Sequence, residues 1–332
     1  AEISGMCDMI LSNDRKIRIR ADDSVMDFFR GKPYMIRRSR GYAPLPFMLS
    51  KGYRGRVLAV GGELKNTFCI GNNDLFYPSP YVGDMGDIRT VEALRETVRR
   101  MEELLETEPQ VVACDMHPRY NTAQFARELG LPVVEVQHHY AHIVSCMAEN
   151  DFDGEVIGVS FDGVGYGTDG TIWGGEFLRA TYKGFTRIGC ISPFQQAGGD
   201  ISSIEGWRTA VSLLYDLCGR SKEKTVELAA SLGLCDGKNL AAQFMMLDRG
   251  INCVKSTSMG RLFDAVSAIL GIKKASTFEG EASMSLEFAA DENAEYGDVP
   301  QISKDGELFV VDTKAVIGRM VRGMDEGKSV SA

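Results

Sequence analysis

Two stretches of this chain repeat one pattern. Arg56 to Ile70 reads as a strand, a glycine-led polar turn and a second strand, and Glu155 to Phe177 reads as strand, Gly/Asp turn and strand again. The first opening leads into a predicted helix from Thr90 to Thr107, a strand Gln110–Met116, a short helix Thr122–Leu129, a strand Leu131–Gln137 and a helix from Tyr140 onward. The second leads into helices near Lys222–Leu232, Gly260–Leu270 and Gly280–Ala290, a strand Leu308–Val311 and a last helix to Met324. A chain that returns to its opening motif after one α/β round is a structural duplication, which restricts it to two tandem α/β lobes. Ahead of them, Lys16–Arg20 alternates as a half-exposed strand, and Asp22, Asp23 and Ser24 are placed to cap a short helix through Phe29. The basic run Arg37, Arg38, Arg40 and the prolines at 44 and 46 mark a boundary before the first lobe.

Duplicated lobes that each begin with a hairpin are how actin-like and sugar-kinase-like ATPases hold phosphates around a central cleft, and the expected fold is that duplicated, ribonuclease-H-like α/β arrangement. The hairpin tips have suitable chemistry. Gly61 and Gly62 allow close backbone approach, while Lys65, Asn66 and Thr67 offer donors to a phosphate. The tip from Asp162 to Gly170 carries four glycines and two carboxylates, enough for backbone amides and a cation. Tight turns require glycine in any case, so either tip alone is also explained by its turn.

All four histidines (His117, His138, His139, His142) fall in one short region. The apolar, β-branched run before Gln137 and the amphipathic spacing after it put His138, His139 and His142 at a strand-to-helix junction. Residues i and i+4 of a helix lie about 40° apart around the axis and about 6 Å apart along it, so His138 and His142 can aim at one point. His139, about 100° round, cannot share that point and reads as a supporting or substrate contact. A zinc protease would carry glutamate where His139 stands. A surface cluster of histidines without metal is the alternative, because two ligands do not complete a site.

The net charge of −9 argues against a general nucleic-acid or membrane surface. Eight cysteines without a C-x-x-C pair read as reduced residues of a cytoplasmic protein. No apolar run approaches the length of a membrane span, and no signal peptide is expected. The chain opens on Ala1 rather than Met, and both of its ends are expected to be cut.

With these residues in place, the chain resembles the HypF family of carbamoyltransferases, which mature nickel-iron hydrogenases. The resemblance rests on Asp22–Val25, Arg38–Pro44, Gly62–Cys69, Asp115–Pro118, Gln137–His142, Asp162–Gly167, Trp173–Glu176, Gly198–Asp200, Gly260–Ala265 and Glu279–Gly280. It implies that residues 1–46 end a YrdC-like domain that makes carbamoyl adenylate, that 51–150 form a first actin-like lobe with metal-binding histidines, and that 151–332 form a second lobe incomplete at its C-terminus. By the same resemblance His138 and His142 bind iron or zinc, and His139 is the extra histidine peculiar to the family, placed at the catalytic position. Lys65, Asn66, Asp162, Gly163 and Gly165, with Gly198, Gly199 and Asp200, take the nucleotide positions. The cofactors implied are ATP or carbamoyl adenylate and a divalent metal, with magnesium an optional companion. The implied reaction moves a carbamoyl group, supplied by carbamoyl phosphate and ATP, to the C-terminal cysteine thiol of a partner, HypE; neither nucleic acid nor membrane is involved. A third metal ligand is expected from an aspartate in the family's final segment, beyond the present sequence. Tyr81 and Asn13 stand where the family usually has histidine. Two other readings stay open: an actin-like ATPase or kinase with structural histidines, and an inactive fragment that only docks a partner.

Overall fold

A computed structural model describes residues 2–291 and 299–331; Ala1 and Ala332, the two ends expected to be cut, lie outside the described residues. The chain divides into two compact units, residues 1–135 and 136–332.

After a 3-10 turn at Glu2–Gly5, the first strands of the first unit are a hairpin of β1 (Val25–Phe29) and β2 (Lys32–Arg37). This corrects the expected helix over Asp22–Phe29. The stretch Val-Met-Asp-Phe-Phe is β-branched and aromatic, and Arg30 and Gly31, at φ 50° and 76°, make a tight two-residue turn. Ser24, read as a helix cap, closes the hairpin base by donating to the Arg40 carbonyl at 2.8 Å and accepting from Ser39 N at 2.9 Å. The strand expected at Lys16–Arg20 is also absent, although Ile19 packs against the first core.

After β3 (Phe47–Met48), the first sheet is built on β4 (Arg56–Ala59), β5 (Cys69–Asn72) and β6 (Leu75–Pro78), an antiparallel meander. Helix α1 (Ile88–Leu105) then returns the chain to β7 (Val111–Asp115), parallel to β4, and α2 (Asn121–Glu128) leads to β8 (Val133–Val136). The sheet order is β3-β6-β5-β4-β7-β8. Leu58, Ile70 and Val112 meet Leu94, Val98 and Met101 of α1 and Phe125 of α2 in one core. Asp87 caps α1 by accepting from Arg89 N at 2.9 Å, and Glu106 ends the helix at φ 48°.

The second unit opens with α3 (His138–Glu149), and then the antiparallel meander returns as β9 (Val156–Tyr166), β10 (Ile172–Thr181) and β11 (Gly184–Ile191). Each unit thus contains a three-stranded antiparallel meander, the repeat expected from the sequence. Strand β12 (Phe194–Ala197), helices α4 (Gly206–Leu217), α5 (Lys222–Ser231) and α6 (Gly237–Arg249), and β13 (Cys253–Ser256) follow. Then come α7 (Met259–Ile269), α8 (Glu281–Ala289), the hairpin β14 (Ile302–Asp305) and β15 (Leu308–Val311), and α9 (Thr313–Asp325). The sheet runs β12-β13-β10-β11-β15-β14, with β9 on β10. Its main core joins Leu213 and Leu214 of α4 to Leu262, Ala265 and Ile269 of α7. Among the described residues no helix is long and apolar enough to cross a membrane.

What matters most for the site is how α3 lies on β9. A Cβ on Gly158 would fall 2.3 Å from Ile143 Cδ1, and one on Gly165 would fall 2.2 Å from His139 Cε1. Ile143 and His139 are i and i+4, so one face of α3 sits directly on bare strand backbone at two points. Gly158→Ala should therefore destabilise the protein by about 1–3 kcal/mol through overpacking. Combined with Ile143→Ala, the loss measured by urea unfolding should fall short of the sum of the single losses by about 1 kcal/mol or more.

Candidate metal centre

The junction expected at Gln137 is where α3 begins. Gln137 caps the helix, its Oε1 accepting from Tyr140 N at 2.9 Å, while its Nε2 reaches His139 Nδ1 at 3.2 Å and donates to the Tyr166 carbonyl at 3.1 Å. One side chain thus starts the helix, orients a histidine and ties both to the end of β9.

The i, i+4 pair meets as its spacing requires. His138 Nε2 and His142 Nε2 are 3.2 Å apart. A third donor joins them from β9: Asp162 Oδ2 lies 3.0 Å from His138 Nε2 and 3.8 Å from His142 Nε2. The three donor atoms lie within 4.8 Å of one another. A tetrahedral ion with bonds of about 2.0–2.1 Å separates its ligand atoms by about 3.3 Å, so two imidazoles and a carboxylate at these distances suit one divalent cation with a position left open.

Asp162 is aimed at the histidines by an irregularity in its strand. Trp173 of β10 faces Gly165 and Gly175 faces Phe161, so Asp162, Gly163 and Val164 stand opposite Gly174 alone. Such a bulge bends the strand and redirects a side chain. Burial of the Asp162 carboxyl opposes its ionisation, but hydrogen bonds from His138 and His142, the charge of His138 and the Gly163 N–H at 2.6 Å outweigh it. They hold the group well below the usual carboxylate range.

The other residues singled out in the sequence fall in several places. His139 has no exposed surface and is packed between Gln137, Gly165 and Trp173, whose ring centroid is 6.3 Å away. Gly165 serves that histidine's approach, and Gly260 makes room for Gly163, since a Cβ on Gly260 would be 2.8 Å from Gly163 Cα. Ser258, the cap of α7, donates to the Gly163 carbonyl at 2.6 Å, which seats that helix start beside Asp162. Gly198 and Gly199 lead into a short 3-10 turn, packed on Arg208 and Asn252, and Asp200 is exposed. Arg261 links that turn to β9: it donates to the Ser203 carbonyl at 3.2 Å, and its Nη2 would lie 3.6 Å from a Cβ on Gly163.

In the first unit Lys65 is exposed, at φ 48°. Asn66 departs from expectation: it is buried, and its Nδ2 donates to the Val60 and Gly62 carbonyls at 2.8 and 2.7 Å. Its amide protons hold the turn rather than a phosphate. His117 stacks on Tyr120 at 4.0 Å, also in the first unit. Tyr81 carries Arg37 over its ring at 4.7 Å. The sequence offered Asp162 to a nucleotide or a cation without tying it to the histidine pair, because that placement depends on a bulge register, which no local sequence signal encodes; its closeness in sequence to the histidine helix was the available hint.

Two units that each carry an antiparallel meander, with a histidine–carboxylate cluster where α3 meets the first meander strand of the second, fit a duplicated actin-like fold. The HypF Kae1-like domain model matches residues 53–149, and the second subdomain of the Kae1-like domain of carbamoyltransferases matches 158–332. The chain belongs to the HypF carbamoyltransferase family. It is 39% identical over 297 residues to carbamoyltransferase HypF2 of Cupriavidus necator, covering 87% of this chain and 36% of that protein. A HypF homolog of the same organism is 35% identical, over 83% of this chain and 71% of the relative. A full-length HypF solved in a phosphate- and nucleotide-bound form superposes with a TM-score of 0.88 at 38% identity, over 94% of this chain and 40% of that one. The chain thus spans little more than a third of the length of the first of these relatives.

Because the Asp162 carboxyl is depressed in the folded state, it contributes stability that is present above the unfolded carboxylate value of about 3.9 and is lost as pH falls through the folded value. With a chelator present, the difference in unfolding free energy between wild type and Asp162→Asn should be largest above pH ~4 and shrink on acidification below it. Denaturant unfolding across pH checks this; a difference that stays constant down to pH ~2 would contradict it.

Proposed function

We propose that this chain carries the metal-assisted transfer site of a HypF carbamoyltransferase. The observation that carries this reading is the convergence of His138, His142 and Asp162 on one point with a coordination position to spare. In this reading those three residues hold iron or zinc, which when bound supplies a Lewis acid able to polarise a carbonyl, an effect worth several kcal/mol. The donor is carbamoyl adenylate, made from carbamoyl phosphate and ATP, and the acceptor is the C-terminal cysteine thiol of HypE, a precursor of the iron cyanide ligand of the hydrogenase. AMP leaves as the thiolate attacks.

The chain's own residues then have distinct tasks. His139, with no exposed surface, does not touch the acceptor; it holds α3 on Gly165 so that its neighbours His138 and His142 keep their aim. The Ser258 cap of α7 fixes the backbone beside Asp162, and with Gly163 is a candidate contact for the nucleotide. Lys65 is the candidate of the first unit, while Asn66 shapes the turn that presents it. For Gly198, Gly199 and Asp200 we propose a nucleotide role of the kind the family resemblance implies; the Arg261 link between their turn and β9 supports it. We also propose that residues 1–46 end a YrdC-like domain, with lobes at 51–150 and 151–332. The nucleotide-bound state of the HypF relative supports ATP or carbamoyl adenylate as the small-molecule ligand.

Elemental analysis of the purified chain tests the metal. Near one iron or zinc per chain is expected, falling to a small fraction in both His138→Ala and His142→Ala. In a chain extended to the relatives' length, the same substitutions should lower carbamoyl transfer to HypE by at least about 10²-fold, because each removes a ligand of the Lewis acid. Transfer that survives both substitutions would instead favour a nucleotide-hydrolysing enzyme with structural histidines.

A further inference from the structure

Glu176 is a carboxylate with no exposed surface, and the histidine cluster does not use it. Its surroundings are specific. Oε1 accepts from Gly174 N at 3.2 Å, from Gly175 N at 3.4 Å and from the Thr257 hydroxyl, while Oε2 accepts from Arg187 Nε at 2.7 Å. Arg187 lies over Trp173 at 4.1 Å, pairs with Asp169 at 3.1 Å and reaches Thr257 Oγ1 at 3.3 Å. Trp173 in turn stands beside His139.

Gly174 is the lone residue opposite the bulge, and Gly175 is the first to pair again beyond it. Where three residues face one, the ladder is interrupted and its amides need other acceptors. Glu176 Oε1 takes both of them. A Cβ on Gly174 would fall 2.5 Å from the Asp162 carbonyl, so the residue whose amide is held is also the one against which Asp162 is pressed. We infer that Glu176, held by Arg187, is a positioning residue of the histidine cluster: it receives the amides that the bulge frees, and so keeps Asp162 turned toward His138 and His142. Strand side chains alternate faces, so a bulge that relaxes toward regular pairing changes where Asp162 points. A buried ion pair is a weak device for stability, since apolar residues of similar volume often do as well, and a role in geometry explains why a charge stands here.

The inference rests on the metal reading only for its binding readout. Two doubles separate geometry from charge: Glu176→Gln with Arg187→Met, and Glu176→Leu with Arg187→Met. Both remove the buried charges, but only the first keeps an oxygen for the two amides. Cobalt(II) affinity, followed by visible absorption of the full chain, should stay near wild type in the first and fall about 10–100-fold in the second, as expected when support of a ligand is lost. In the metal-free crystal structures Asp162 should stay within hydrogen-bond distance of His138 in the first double and leave it in the second. Equal cobalt affinity in both doubles, or an unmoved Asp162 in the Leu/Met double, would overturn the inference. Absence of cobalt uptake by wild type would end the metal reading, and the metal-free structures would then decide this one alone. If the Leu/Met double does not fold, the Gln/Met structure decides: Asp162 held on His138 supports the role, and Asp162 displaced refutes it.

Discussion

The close approach of α3 to β9 is the contact on which the rest of the site depends. A helix held off a strand by ordinary side chains would leave His138 and His142 at the usual helix-to-sheet spacing, beyond reach of a short aspartate. Here Gly158 and Gly165 remove the intervening Cβ atoms, and Ile143 and His139 rest on the backbone itself. The neighbouring helical face, one residue back at each point, is then low enough for both imidazoles to meet Asp162. His139 is thus the hinge of the arrangement, and its burial follows from that position.

The three histidines are graded in exposure, with side chains 0%, 22% and 56% exposed at His139, His138 and His142. Their positions around the helix put one ring in the core, one at its edge and one toward solvent. The cluster is therefore fixed on its inner side by packing and open on its outer side. A cation held there would keep its free coordination position where a reactant can arrive, and the partly desolvated inner side would strengthen its field.

Much of this was legible in the sequence, and the parts that were not share a cause. The i, i+4 histidine pair, the helix around it, α1, α5, α7 and the repeated hairpins are local patterns, and each formed close to where periodicity put it. The hairpin β1–β2 was misread because Asp22, Asp23 and Ser24 are equally suited to a helix cap and to a hairpin base, and only pairing with Lys32–Arg37 decides between them. Asn66 looked like a phosphate donor because its type and turn were right, while its burial is a tertiary fact. Strands β12 and β13 pair with each other from either side of three helices, and no local period announces that.

Asp162 shows most clearly where local reading stops. As a residue type beside glycines it could serve a turn, a nucleotide or a metal, and all three are compatible with the sequence. Its position beside the histidines is set by two extra residues in β9 relative to β10, which interrupt the regular alternation of faces and leave Asp162 on the side of α3. The amides opposite those extra residues find an acceptor in Glu176, whose buried charge is offset by Arg187 and by the Thr257 hydroxyl. The placement of Asp162 beside the two histidines is therefore written partly in residues that never approach them, through a chain of hydrogen-bond and charge requirements that becomes visible once the register of the two strands is known.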